Sequence, residues 1–151
     1  MNLVLDLGNT QHKCAVFEDD QIVFVWKKEQ LTSEDLLSIL QKFTISNSII
    51  SSVDNHNTEL EGILQKNGKF LLLDHVSPLP VHNLYQTPET LGKDRLAAAV
   101  GANAQFRDKN VLIIDAGTCI KYDFVNDENQ YLGGAISPGL QMRLKAMHNF
   151  T

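Results

Sequence analysis

The sequence predicts an α/β fold: a mixed sheet covered by helices, in β-β-β-α-β-α order, duplicated with an incomplete second copy. Two observations predict it. Three apolar segments joined by short polar turns precede alternating helical and strand-like segments. The opening pattern then restarts near residue 109. We therefore expect a first domain over 1–108 and the start of a second, truncated domain over 109–151.

Leu3-Val4-Leu5 is a short apolar run that stops at the polar turn Asp6-Leu7-Gly8-Asn9-Thr10, as a buried strand does. Cys14 to Phe17 is a second strand, Glu18-Asp19-Asp20-Gln21 a hairpin turn, and Ile22 to Trp26 a third strand rich in β-branched and aromatic residues. Thr32 is placed to cap a helix whose first turn carries Glu34 and Asp35, and Leu36, Leu37, Leu40 and Phe43 follow at helical spacing. A strand over Ile49 to Val53, a helix marked by Leu60, Ile63 and Leu64, and a strand over Phe70 to Leu73 come next. A long irregular stretch from Ser77 to about Gly92 is of the length that usually carries function. From Asp94 an Ala-rich helix begins, suited to close packing on a sheet.

Val111-Leu112-Ile113-Ile114-Asp115-Ala116-Gly117-Thr118 repeats the grammar of Leu3 to Thr10: an apolar strand, Asp-x-Gly, and Thr close behind. Each copy continues into a second strand (Cys119 to Val125 in the later one), an acidic turn (Asn126-Asp127-Glu128) and a third strand (Tyr131 to Ser137). The second copy stops soon after a helix begins past Pro138-Gly139, so we expect a fragment of a two-domain protein or the product of an early stop.

Composition narrows the function. The net charge is −5 and no Lys/Arg run occurs, which opposes nucleic-acid and anionic-membrane binding, since both need a basic patch. No apolar stretch approaches the roughly 20 residues that span a bilayer, and Met1 to Asp6 lacks a basic n-region, so neither membrane span nor signal peptide is expected. Cys14 and Cys119 read as packed thiols of a cytoplasmic protein. His12, His56, His75, His82 and His148 show no metal-ligand spacing.

Three constellations carry chemistry. An Asp at the end of a buried strand, followed by a Gly turn, suits a hydrated Mg²⁺ beside phosphates: the carboxylate is a hard ligand, and Asn9, Thr10 and backbone N–H groups can donate to phosphate oxygens. Two such hairpins, at Asp6 and Asp115, would clamp a triphosphate. No GxxxxGK[ST] occurs, which excludes a P-loop. At Gly92-Lys93-Asp94-Arg95, a loop-to-helix junction, Asp94 reads either as a helix cap or as a general base beside a guanidinium. In Gly133-Gly134-Ala135-Ile136-Ser137-Pro138-Gly139 the Gly pair would admit a ligand close to the backbone, and the turn leads into a helix whose N–H groups can face a phosphate.

In this order the motifs resemble the type III pantothenate kinases, of the actin-like ATPase (ribonuclease H-like) and sugar-kinase superfamily, along the whole chain. The resemblance implies that Asp6, Leu7, Gly8, Asn9, Thr10, Gln11, His12 and Lys13 line ATP, with Asp6 at magnesium. It implies that Tyr85, Gly92, Lys93, Asp94 and Arg95 bind pantothenate, with Asp94 as the proton acceptor. Asp115 is then associated with a monovalent cation (K⁺ or NH₄⁺) and Thr118 with ATP. The implied cofactors are ATP, Mg²⁺ and that cation, and the implied assembly is a homodimer that completes the substrate pocket. One departure stands out: where the family usually reads Ala-x-Thr-x-Asp, this chain reads Cys119-Ile120-Lys121-Tyr122-Asp123. The rival readings are another phosphotransferase of the same fold, an accessory regulator of transcription, and an inactive fragment.

Overall fold

The computed structural model describes residues 1–52 and 58–150; the expected strand end at Val53, and His56, lie outside the described residues. The chain divides into two compact units, Met1–Asp74 and His75–Thr151. That division falls earlier than the boundary expected at 108, because the Ala-rich helix packs with the later strands. The boundary at 108 marks where the sequence repeat restarts, which packing does not test.

In the first unit, β1 (Asn2–Leu7), β2 (His12–Glu18), β3 (Gln21–Lys28), α1 (Ser33–Lys42), β4 (Asn47–Ser52), α2 (Thr58–Asn67) and β5 (Lys69–Leu72) follow in the expected order. The sheet is mixed, ordered β3-β2-β1-β4-β5, with antiparallel hairpins on one side of β1 and parallel β4 and β5 on the other. Leu3, Leu5 and Leu7 alternate into the core, so β1 runs two residues past the apolar run and takes in Asp6 on its opposite face. Leu36 and Ile39 of α1 and Leu60 and Leu64 of α2 close the core over that sheet. Thr32 caps α1 as expected, in a reciprocal capping box with Asp35. Leu37, expected on the inner face, is exposed, and Ile39 takes its place.

The second unit holds β6 (His82–Asn83), α3 (Lys93–Gln105), β7 (Val111–Ala116), β8 (Cys119–Val125), β9 (Gln130–Pro138) and α4 (Leu140–Phe150). Its sheet is ordered β6-β9-β8-β7 and is also mixed: β6 lies parallel to β9, and the other pairs are antiparallel. The long stretch from Ser77 is therefore partly regular, since it adds the short strand β6 and a 3₁₀ turn at Pro88–Thr90. The β-β-β-α repeat is present in both units, down to a register shift late in the second strand, at Val16/Phe17 and at Phe124/Val125. β7 departs from the expectation of a buried strand: Ile113 packs in the core, but Leu112 and Ile114 are each 60% exposed. β7 is an edge strand, and α3 covers only the face that carries Ile113.

The core of the second unit contains a charged cluster. Arg95, in the first turn of α3, sends Nε and Nη2 to Asp123 of β8, at 3.0 and 3.1 Å from Nε and 2.6 Å from Nη2. Tyr131 of β9 donates its hydroxyl to the same carboxylate at 2.6 Å. All three side chains are buried. The Asp123 bonds hold the Arg95 guanidinium above its ordinary pKa, and burial followed by the Asp123 bond raises that of the Tyr131 phenol. Among the described residues no helix is long and apolar enough to cross a membrane.

Two outcomes follow. Asp123→Ala strands a buried guanidinium and should lower the unfolding free energy by about 3–5 kcal/mol, against about 1–2 kcal/mol for Tyr131→Phe. Urea denaturation measures both, and near-equal losses would show that the ion pair is not the dominant contact. Burial also pushes the Cys14 thiol to a pKa of about 11. The thiolate is the reactive form, so iodoacetamide at neutral pH should spare Cys14 until the chain unfolds while alkylating the half-buried Cys119. Peptide mass spectrometry reads the difference, and equal labelling would contradict the packing.

Candidate active site

Two acidic hairpins, one in each unit, carry most of the expected site residues. In the first, Asp6 stands opposite Lys13 in the β1–β2 register, and Lys13 Nζ lies 3.5 Å from Asp6 Oδ2. Both side chains reach solvent, where such a pair contributes little stability. The turn between them leaves Asn9, Thr10 and Gln11 exposed and Gly8 half-buried. Two expected ATP contacts are committed elsewhere. The Leu7 side chain is in the core, so only its backbone faces the turn. His12 Nδ1 accepts the Leu31 N–H at 3.0 Å, which ties the segment before α1 to the sheet and leaves the ring proton on Nε2.

In the second unit the geometry is tighter. Gly92 is the N-cap of α3, and Lys93 and Asp94 are its first two residues, so Asp94 is not the cap. Asp94 Oδ1 accepts the Arg95 N–H at 2.9 Å, and Oδ2 accepts from Lys121 Nζ. Lys121 Nζ also lies 2.7 Å from Asp115 Oδ2, directly across the β7–β8 pair. One ammonium thus bridges the two carboxylates singled out in the sequence. Burial disfavours that ammonium, but the hydrogen bonds and charges of Asp115 and Asp94 outweigh it and hold the lysine above its ordinary pKa. Lys121 is 17% exposed, Asp94 28% and Asp115 55%, so the cluster opens to solvent on the Asp115 side. Gly139 N–H donates to the Thr118 carbonyl at 3.1 Å, which joins the third motif to the turn after Asp115.

The Gly133-Gly134 pair is explained by packing against protein. Gly133 has φ of +87°, and a Cβ there would lie 2.7 Å from Tyr85 Cδ2; at Gly134 it would lie 1.7 Å from the Tyr122 carbonyl oxygen. The space expected for a ligand is filled at both positions. Tyr85 packs against Gly133, stacks on Tyr131 with ring centroids 6.4 Å apart, and lies 5.6 Å from the Arg95 guanidinium carbon. Arg95, in the first turn of α3, is thus enclosed by protein side chains. Sequence reasoning missed Asp123 and Tyr131, which fix Arg95. A signal for Asp123 was present: it lies two residues from Lys121, on the strand face toward α3. Among the described residues no cluster of three or more His, Cys, Asp or Glu is arranged to hold a metal.

Comparison with known proteins gives the family. The model of the family described as type III pantothenate kinase matches residues 2–151. A type III pantothenate kinase of Bacteroides fragilis is 47% identical over 155 residues, covering 100% of this chain and 63% of the relative. One from Christiangramia forsetii is also 47% identical, over 156 residues, again covering 100% of this chain and 63% of the relative. The chain thus spans a little under two thirds of the length of the curated relatives it matches. Among solved structures, a Campylobacter jejuni protein provisionally assigned as a Baf family transcriptional activator aligns with a TM-score of 0.61 at 22% identity, over 99% of this chain and 60% of that one. A Porphyromonas gingivalis protein provisionally assigned as an N-acetylglucosamine kinase aligns with a TM-score of 0.54 at 12% identity, over 89% and 47%. These likenesses bear on the fold and agree with the actin-like ATPase architecture. With a family match from the second residue to the last, this chain belongs to the type III pantothenate kinases.

Proposed function

We propose that the chain carries the nucleotide hairpin and the acidic catalytic cluster of an enzyme that phosphorylates pantothenate with ATP, giving 4′-phosphopantothenate and ADP, the entry into coenzyme A synthesis. The observation that supports it most is Asp94, held at the start of α3 with both oxygens in defined hydrogen bonds beside Asp115. Phosphoryl transfer asks little covalent chemistry of a protein; it asks for positioning, charge neutralisation and an acceptor for the hydroxyl proton.

In this reading the turn from Gly8 to Thr10, with Gln11 and Lys13, holds the ATP phosphates. A single carboxylate with open solvent access suits Mg²⁺, which keeps several waters and takes its remaining ligands from phosphates. Asp6 has that character, and the ion it would hold supplies neutralisation of phosphate charge. Asp94 accepts the proton of the pantothenate hydroxyl as its oxygen attacks the γ-phosphorus and ADP leaves. Tyr85 presents an aromatic edge to the substrate. Arg95 positions pantothenate together with Tyr85; two of its nitrogens are on Asp123, so Nη1 is the nitrogen proposed to meet the substrate carboxylate. Homodimer formation and a cytoplasmic setting belong to the same proposal.

The experiment is phosphorylation of pantothenate by this chain and by the chain extended to its relatives' length, beside sugars, acetate and polyphosphate. Asp94→Asn should lower kcat by about 10²–10⁴-fold, the usual contribution of a general base, with little change in Mg·ATP affinity. Near-normal turnover in that variant would remove Asp94 as proton acceptor. Turnover of a sugar in preference to pantothenate would reassign the substrate.

A further inference from the structure

We infer that Lys121 is a tethered monovalent cation: its ammonium fills the seat between Asp94 and Asp115, so this chain takes up no K⁺ or NH₄⁺ there. The inference deepens the kinase reading, since it concerns charge balance at the same acidic cluster.

The argument is geometric. Asp94 approaches from the first turn of α3 and Asp115 from the end of β7, and Lys121 Nζ reaches a carboxylate oxygen of each. Two carboxylates facing one small space repel, and a cation between them removes the repulsion. Free K⁺ and NH₄⁺ are similar in size to a lysine ammonium, so any of the three would satisfy the same oxygens. A tethered ammonium loses no translational freedom on taking the seat, whereas a free ion must be drawn from solution. Lys121 sits mid-strand between β7 and β9, paired with Asp115 on one side and Ile136 on the other. It is mostly buried while Asp115 remains 55% exposed, so the ammonium occupies the inner position of the cluster. Asp115 Oδ2, on the residue expected at a free monovalent cation, is thus already bound to an ammonium, and the residues present do not fit that ion. No step of the proposed reaction is routed through it.

Thallous ion, a K⁺ surrogate with its own NMR signal, tests this without nucleotide or pantothenate, so the result stands apart from that of the kinase assay. Thallous nitrate titrated into the chain should give no saturable shift that both K⁺ competes away and Asp115→Asn abolishes. Lys121→Thr should acquire such a shift, with an affinity about tenfold or more above any residual wild-type response, which corresponds to about 1.4 kcal/mol. A saturable, Asp115-dependent signal in the wild-type chain overturns the inference, and so does its absence in folded Lys121→Thr. If Lys121→Thr is unfolded in tetramethylammonium chloride, K⁺ at equal ionic strength should restore a cooperative melt. A variant that stays unfolded in both salts also overturns the inference, because the lysine is then needed for something a free cation cannot supply.

Discussion

The buried contact between Arg95 and Asp123 fixes the start of α3 against β8, and the acidic cluster of the second unit depends on it. Arg95 lies in the first turn of α3, and Asp123 lies mid-strand in β8. Burying either charge alone would cost several kcal/mol; fork-shaped pairing from two nitrogens, with a further bond from Tyr131, offsets that cost. Asp94 precedes Arg95 by one residue, and Lys121 precedes Asp123 by two, on the same strand face. Once Arg95 is clamped on Asp123, Asp94 has little choice but to meet Lys121. The solvent-facing ion pairs are therefore held by the internal one, which explains how a partly exposed cluster can be well defined.

The internal repeat gives a second view of Lys121. In each unit the first two strands form an antiparallel hairpin, and the Asp near the end of the first stands directly opposite a Lys of the second: Asp6 with Lys13, Asp115 with Lys121. Cross-strand partners have their side chains on one face, so an Asp–Lys pair is built into both hairpins by register alone. Burial separates them. Lys13 is 52% exposed and sits 3.5 Å from its aspartate, whereas Lys121 is 17% exposed and has a second carboxylate from α3. A mobile surface lysine is suited to meeting an incoming phosphate. A lysine held by two carboxylates is suited to remaining where it is.

Much of this was legible in the sequence because the signals were local. The alternation of β1, the Thr32–Asp35 capping box, the acidic hairpin turns and the restart at Val111 each rest on residues close in the chain. The failures share a cause, which is dependence on partners far away in sequence. Gly133 and Gly134 read as a ligand approach because nothing nearby showed that Tyr85 and the Tyr122 carbonyl fill the space. The partner that buries Arg95 was not legible, because Asp123 is 28 positions away. Leu112 and Ile114 read as core because an apolar run does not say which of its faces a helix covers. Lys121 read as an oddity against the family pattern, although Lys13 already showed where a lysine falls in the first copy.

The proposed role of Asp94 has to be reconciled with its bonds. Asp94 already accepts from a backbone N–H through Oδ1 and from the Lys121 ammonium through Oδ2, so an incoming proton would share an oxygen that is already bonded. Complete proton abstraction before attack would work against those bonds. Phosphoryl transfer with a loose transition state does not require it, because the hydroxyl needs orientation early and loses its proton late. An acceptor whose two oxygens are fixed by Arg95 and Lys121 orients the hydroxyl well, and need take its proton only as the new P–O bond forms. On the proposed reading, the ammonium between Asp94 and Asp115 thus gives Asp94 a fixed direction of approach, and direction is what this chemistry needs most from its protein.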